Sequence, residues 1–358
     1  MGPDDFDYDL PAEAIAQEPL DDRPSARLLD TTGGPVVHRT VRDLPSLLGP
    51  GDVVVVNDTR VFPARLRLRR STGGIAEVLL LHPVDRKVED SALGIGARWE
   101  ALVRPSRRLP PGSELSIGGD PLVRDLVVEV GLDLGEGRRH VTLWTSDGDL
   151  LAALERHGEM PLPPYIEADL VDPERYQTVF SDRPASAAAP TAGLHLTDDV
   201  LARCRAAGAR VERLELVVGL DTFRPVTVAD LDDHRMHRER YRVDPTVMEA
   251  CREAQRNGGR VLAVGTTTLR ALESASRFGP YGLTDLFIRP PFDFAVVDVL
   301  MTNFHLPRST LLVMLEAFSG QRWRTWYADA LSCGYRFLSF GDAMLVARED
   351  GKRGSDEG

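Results

Sequence analysis

Gly51-Asp52-Val53-Val54-Val55-Val56-Asn57 packs a β-branched run between polar ends, the pattern of a strand buried on both faces. Past it the texture changes. Arg65-Leu66-Arg67-Leu68-Arg69-Arg70 alternates with period two, so Arg65, Arg67 and Arg69 share one side of a strand and the leucines the other. Short strand-like stretches follow at Ile75–Leu81, Trp99–Val103, Leu122–Val130 and Arg138–Trp144, divided by Gly, Pro and Asp clusters. That spacing predicts a small antiparallel barrel or sandwich. A helical stretch, Leu150–Arg156, then leads into Met160-Pro161-Leu162-Pro163-Pro164-Tyr165, a stiff return linker.

Beyond the linker, strand alternates with helix. Thr197 caps a helix running to Gly208, and strand-like Val211–Val218 comes next. Asp244-Pro245 opens a helix ending near Gly258, with proline at its first position. Val261–Val264 reads as a buried strand, Thr268–Phe278 as a helix, and Tyr241–Val243 as a short strand. Ser309 starts an apolar helix ending at Gly320, and Tyr335–Phe340 and Ala343–Ala347 read as closing strands. The predicted fold is α/β: a mixed-sheet main domain (1–64 and 160–348) with an antiparallel β-barrel domain inserted over 65–159. Residues 349–358, rich in glycine and acid, read as a disordered tail.

At 358 residues with 42 % hydrophobic and 27 % charged content, the chain has material for a large core. No apolar run approaches the ~20 residues of a membrane span, and the acidic start does not resemble a secretory signal. Three scattered cysteines fit neither a disulfide framework nor a thiolate metal site, so a cytoplasmic protein is expected. A net charge of −12 excludes nucleic-acid binding through the overall field. It leaves room for a local basic face, for which Arg60, Arg65, Arg67 and Arg69 are the candidates, with Arg104, Arg107 and Arg108 in the neighbouring sequence. A solvated strand face would show the same alternation.

Candidate chemistry gathers in four turns. Gly265-Thr266-Thr267-Thr268-Leu269-Arg270 lies between a strand and a helix, where glycine admits a ligand to the backbone and free N–H groups favour an anion. An ordinary capped helix would read the same way. The others are Pro190-Thr191-Ala192-Gly193-Leu194-His195, Asp233-His234-Arg235-Met236-His237-Arg238-Glu239 and Thr302-Asn303-Phe304-His305-Leu306-Pro307. No metal is expected, since His234, His237 and Glu239 match no familiar ligand spacing. Two histidine segments precede helices, the junctions where α/β proteins build one shared cleft.

These motifs together resemble the S-adenosylmethionine:tRNA ribosyltransferase-isomerase family of queuosine biosynthesis. Ala188 to His195, Asp233-His234-x-Met236-His237-x-Glu239, Ala263 to Thr267 and Thr302 to Leu311 carry the likeness. So do Asn57 to Arg65, Met160 to Ile166, and Tyr335-Arg336-Phe337 with Gly341-Asp342-Ala343-Met344, in family order from about Asp5 to Ala347. The resemblance implies an α/β domain with an inserted barrel. It implies transfer and isomerisation of the ribosyl part of S-adenosylmethionine onto 7-aminomethyl-7-deazaguanine in tRNA, with adenine and methionine released. S-adenosylmethionine is then a substrate, and no cofactor is implied. A monomer with tRNA as partner is expected.

The sulfonium acidifies the donor's C5′ hydrogens, so a base must reach that carbon, and near-neutral histidines suit the task. His195 and His237 are the expected proton-transfer residues, with Asp233 or Glu239 orienting one of them. Thr191, Gly193, His234, Gly265, Thr266, Thr267, Arg270, Asn303 and His305 are the expected substrate contacts. Two departures from the family pattern stand out. Val217 and Asp221 replace a histidine and a glycine, and Arg289-Pro290-Pro291 replaces a segment with an aromatic ring and a glycine. They open the alternative of the same chemistry on a small-molecule acceptor, which would proceed without tRNA. A silent RNA-binding relative would release neither adenine nor methionine, and an ordinary methyltransferase would carry a glycine-rich loop after an early strand.

Overall fold

The computed structural model describes residues 1–84, 97–118, 125–219, 226 and 228–349. Apart from Glu349, the tail expected at 349–358 lies outside them, as does Asp221. The valine run forms the strand Val53–Asn57, buried at every position, inside a nine-stranded mixed sheet. Its neighbours come from far downstream: Arg210–Leu216 on one side and Val261–Val264 on the other, both parallel to it. Val299–Asn303 extends the parallel group, and Ala343–Ala347 runs back beside it. Arg27–Asp30 and Val37–Thr40 finish that edge, while Glu239–Arg242 and Tyr281–Thr284 build the other.

The period of two along these strands decides which side chains enter which layer. Val54, Val56, Leu262, Val264 and Met301 share one buried cluster with Val200, Leu201 and Cys204 of the helix Asp198–Ala206. The helices Pro245–Arg256 and Thr266–Phe278 also pack on the central strands. The caps are as the sequence requires: Thr197 accepts from the Val200 N–H, Asp244 from Thr246 and Ser309 from Leu312. Such caps each contribute about 1 kcal/mol.

One expected strand is absent. Tyr335–Phe340 is an irregular segment whose backbone turns back on itself, with Leu338 at φ 69° and the Asp342 N–H donating to the Arg336 carbonyl. Its rings are buried all the same, so an apolar pattern that mimics a strand belongs to a packed loop. The strand Val299–Asn303, the pair Arg27–Asp30 and Val37–Thr40, and the helix Trp323–Ser332 add elements that the pattern did not predict.

The chain divides into two units: Met1–Arg60, Pro163–Arg183 and the chain from Ala189 onward form one, and Val61–Leu162 with Pro184–Ala188 the other. In the second unit Arg65–Arg70, Ile75–Pro83, Ala97–Arg104, Arg138–Thr145, Leu126–Gly135 and Ser113–Ser116 pair in that order. Ser113–Ser116 then bonds back to Arg65–Arg70, closing a six-stranded antiparallel barrel. Leu66 and Leu68 point into the barrel, and Arg67 and Arg69 are exposed. The fold is therefore the mixed-sheet α/β body with an antiparallel barrel that the sequence predicts. No described helix is long and apolar enough to cross a membrane.

Candidate active site

The parallel strands Arg210–Leu216 and Val261–Val264 lie on opposite sides of Val53–Asn57. Connections that diverge to either side of one strand leave a crevice at the carboxyl ends, where α/β sheets bind ligands. A cleft lies there, lined among others by Thr191, Val218, Gly265, Thr266, Thr267, Asn303 and His305. Five of the expected contact residues outside the His234 segment thus meet with Thr191 in one place.

Gly265 sits at φ 92°, a backbone region that side-chain-bearing residues avoid, and it turns the strand straight into the helix Thr266–Phe278. Thr268 is turned away, donating its hydroxyl to the Val264 carbonyl at 2.7 Å. Thr266 and Thr267 face the cleft with the first helical N–H groups, a cradle for an anion. Asn57 braces this corner. Its amide exchanges hydrogen bonds with Leu216 (2.9 and 3.1 Å) and donates to Thr267 Oγ1 at 3.5 Å.

Across the cleft, the Thr191 hydroxyl donates to Asn303 Oδ1 at 3.0 Å, and Asn303 Nδ2 lies 3.2 Å from His195 Nε2. The same Nδ2 donates to the Asp342 carbonyl at 3.4 Å. A carbonyl can only accept, so the amide nitrogen is the donor and His195 Nε2 accepts, which puts the His195 proton on Nδ1. Burial holds His195 down at about 4, against a partial pull upward from Asp342. It is a neutral histidine committed to Asn303. His305 is buried too, held at about 3 by desolvation, with Nε2 3.0 Å from the Thr302 hydroxyl. Its backbone is clamped by two tyrosines: its N–H donates to the Tyr327 oxygen at 2.9 Å, and the Tyr8 hydroxyl donates to its carbonyl at 2.5 Å.

His237 is placed differently. Its Nε2 lies 3.0 Å from Glu239 Oε1, which also accepts the Gly219 N–H at 3.0 Å, and its side chain keeps 23 % exposure. A carboxylate oxygen makes Nε2 the donating nitrogen and leaves Nδ1 as the basic one. Glu239, 3 % exposed, also ion-pairs with the buried Arg270, whose pKa burial lowers to about 10. Arg270 therefore reaches Glu239, and it lines a second, small pocket with Met236, Phe287 and Met314. Leu311 lines both cavities.

Several expected residues sit elsewhere. Asp233 is exposed at the end of the short turn Leu231–Asp233, whereas Glu239 meets the His237 ring. His234 is half-buried with its ring against Phe287, and its pKa is lowered by burial and by neighbouring His237. Gly193 is a packing glycine: a Cβ there would stand 2.7 Å from the Phe180 ring. Arg60 pairs with Glu174, Arg67 with Glu159 (3.0 Å), Arg69 donates to the Gly73 carbonyl at 3.5 Å, and Arg65 is half-buried. Of the departures, Arg289 ion-pairs with Asp232, tying its loop to the turn before the histidine segment. Sequence reasoning missed Tyr165, whose hydroxyl meets Ser339 Oγ at 2.6 Å in the cleft wall, and Asn57, although both lie in motifs it singled out.

An α/β body with a sheet-end cleft of threonine, asparagine and histidine, carrying an inserted closed barrel, defines a class that known proteins share. Residues 3–346 match the family model described as queuosine biosynthesis protein, and the chain belongs to that family. A relative from Anaeromyxobacter dehalogenans, named S-adenosylmethionine:tRNA ribosyltransferase-isomerase, is 47 % identical over 96 % of this chain and 99 % of its own. One of the same name from Thermus thermophilus is 48 % identical over 95 % and 98 %. The crystal structure of S-adenosylmethionine tRNA ribosyltransferase from Thermotoga maritima is 33 % identical, covers 95 % of this chain and 99 % of its own, and gives a TM-score of 0.52.

Proposed function

We propose that this chain is a cytoplasmic, monomeric ribosyltransferase-isomerase acting on tRNA. It transfers and isomerises the ribosyl part of S-adenosylmethionine onto 7-aminomethyl-7-deazaguanine at the wobble position, giving epoxyqueuosine and releasing adenine and methionine. S-adenosylmethionine is consumed as a substrate, and no resident cofactor takes part. The observation that carries this reading is the His237–Glu239 pair: a partly exposed imidazole held in one tautomer by a buried carboxylate. His237 Nδ1 takes the sulfonium-activated C5′ proton, and Glu239 stabilises the imidazolium that results. His195, too weakly basic for that step, fixes Asn303 in the cleft wall. The donor's carboxylate rests on the N–H groups at Thr266 and Thr267, where the positive end of the helix favours it. Arg270 acts through Glu239.

The deciding measurement incubates the protein with S-adenosylmethionine and tRNA carrying the aminomethyl base, beside a control without tRNA. Mass spectrometry follows adenine, methionine and the nucleoside. Adenine and methionine appear only with tRNA, and the nucleoside gains the ribosyl-derived mass. Release of both with the nucleoside unchanged would overturn the tRNA acceptor.

Two variants test the parts. Gly265→Ala forces a side chain into an extended backbone at positive φ (92°, ψ 151°), a region open essentially only to glycine, at a cost of about 1–3 kcal/mol. It is expected to raise KM for S-adenosylmethionine roughly tenfold, with a smaller change in kcat. Arg67→Ala and Arg69→Ala, on the outer face of the barrel strand, are expected each to lower the salt slope of tRNA binding by about one. An unchanged slope in a filter-binding series would remove this strand from the RNA contact.

A further inference from the structure

Three different ligand types meet outside the cleft, between the edge strand Val37–Thr40 and the C-terminal end of the helix Trp323–Ser332. His38, Asp329 and Cys333 each offer one atom, and these atoms lie within 4.8 Å of one another. Cys333 is a free, exposed thiol at the helix C-cap. Neither the cleft nor the chemistry above uses any of the three.

In one tautomer of His38 the arrangement sets two acceptors against each other. His38 Nδ1 lies 2.9 Å from the Tyr335 hydroxyl. With Nδ1 protonated and donating there, Nε2 carries the lone pair. Nε2 faces Asp329 Oδ2 at 3.5 Å, and that oxygen is sealed from solvent with no hydrogen-bond partner among the described residues. Two acceptors directed at one another need a positive charge between them, either a proton or a metal ion. The thiol alongside is the feature that a simple imidazolium–carboxylate pair does not require.

The surroundings favour a cation and hold its ligands. Cys333 caps a helix whose last carbonyls present partial negative charge. Arg27 donates to the main-chain carbonyls of Cys333 and Gly334, fixing the turn that carries the thiol. The same guanidinium lies 4.2 Å over the Tyr335 ring, which orients His38 in turn. The Tyr335 hydroxyl on the far nitrogen stands where metal sites place the carboxylate, carbonyl or water that fixes a ligating histidine.

We propose that His38 Nε2, an Asp329 carboxylate oxygen and Cys333 Sγ bind one divalent cation, zinc by preference, with water as the fourth ligand. Mixed nitrogen, oxygen and sulfur donors in a four-coordinate set suit zinc better than magnesium or calcium. Binding replaces the thiol proton, which leaves to solvent as the Cys333–zinc bond forms, so affinity rises with pH. The ion would join the sheet edge to the last helix.

The test uses the full chain after chelator treatment, titrated with zinc chloride by calorimetry and with cobalt by absorption. One equivalent should bind, with a thiolate-to-cobalt charge-transfer band and a raised Tm. Cys333→Ser and His38→Gln should each weaken binding more than tenfold and remove the rise in Tm. Tyr335→Phe should cost about tenfold, as outer partners of metal ligands do. His38 and Cys333 are exposed, so both variants should fold. If the wild type and the His38→Gln/Cys333→Ser double variant bind zinc alike, or cobalt shows no thiolate band, the proposal is overturned. The contact is then an ordinary histidine–carboxylate pair.

Discussion

Glu239→Gln should lower turnover by about 10²–10⁴-fold while leaving the chain folded but weakened. The buried carboxylate does three things at once: it accepts from His237 and from the Gly219 N–H, and it neutralises Arg270. A glutamine amide keeps the shape and can keep one acceptor. It cannot stabilise an imidazolium, and it leaves a buried guanidinium without a counter-charge. Removing one partner of such a pair costs about 3–5 kcal/mol. The two losses can be separated. Glu239→Gln combined with Arg270→Met should recover most of the stability in urea titrations, because the stranded charge is gone. The rate of adenine release should stay low, because His237 still lacks its carboxylate. Recovery of activity together with stability would show that Glu239 serves only the fold.

Acid should begin to destabilise the protein above the range where carboxylates titrate. His195 and His305 are buried and held at about 4 and about 3. In the unfolded chain both would return to about 6.5. Between those values the unfolded state binds protons that the folded state refuses, so lowering the pH favours unfolding. The stability tied to these histidines is complete above pH 6.5, declines as the pH falls, and levels off near 3. Together they account for several kcal/mol on the order-of-magnitude conversion of pKa shift to free energy. Urea midpoints across that window provide the measurement. His305→Gln keeps the backbone bonds to Tyr8 and Tyr327 and should flatten the slope. A variant with the parental slope would assign the acid sensitivity elsewhere.

The periodic parts of the fold were legible because their patterns have one physical solution. A valine run must be buried on both faces, and alternating arginine and leucine must straddle a barrel wall. Capping residues before apolar stretches located helix starts at Thr197, Asp244 and Ser309 to the residue. Tyr335–Phe340 misled because burial and alternation do not reveal where a backbone turns, and its turn depends on Asp342 accepting from the Arg336 N–H. In the site, the threonine turn and the Asn303 segment announced themselves through glycine and hydroxyl placement. What sequence could not supply was the division of labour among histidines. His195 and His237 look equivalent as letters. Depth of burial and the identity of one partner, an amide for His195 and a carboxylate for His237, set the two apart. Arg270 likewise reads as an anion receptor until the fold sets it against Glu239.

The closed barrel also bears on how the chain reaches its native state. Val53–Asn57 finds both its sheet neighbours only after the whole insert has been synthesised. Non-local pairing of this kind is slow, because loop-closure entropy must be overcome before any contact rewards it. A barrel that closes on itself, Ser113–Ser116 pairing back to Arg65–Arg70, removes its reactive edges early and shortens the loop still to be closed. The insert then acts in folding as a clasp on the chain: substitutions that open the seam at Arg69 and Ser116 should slow assembly of the distant central sheet more than they weaken it at equilibrium.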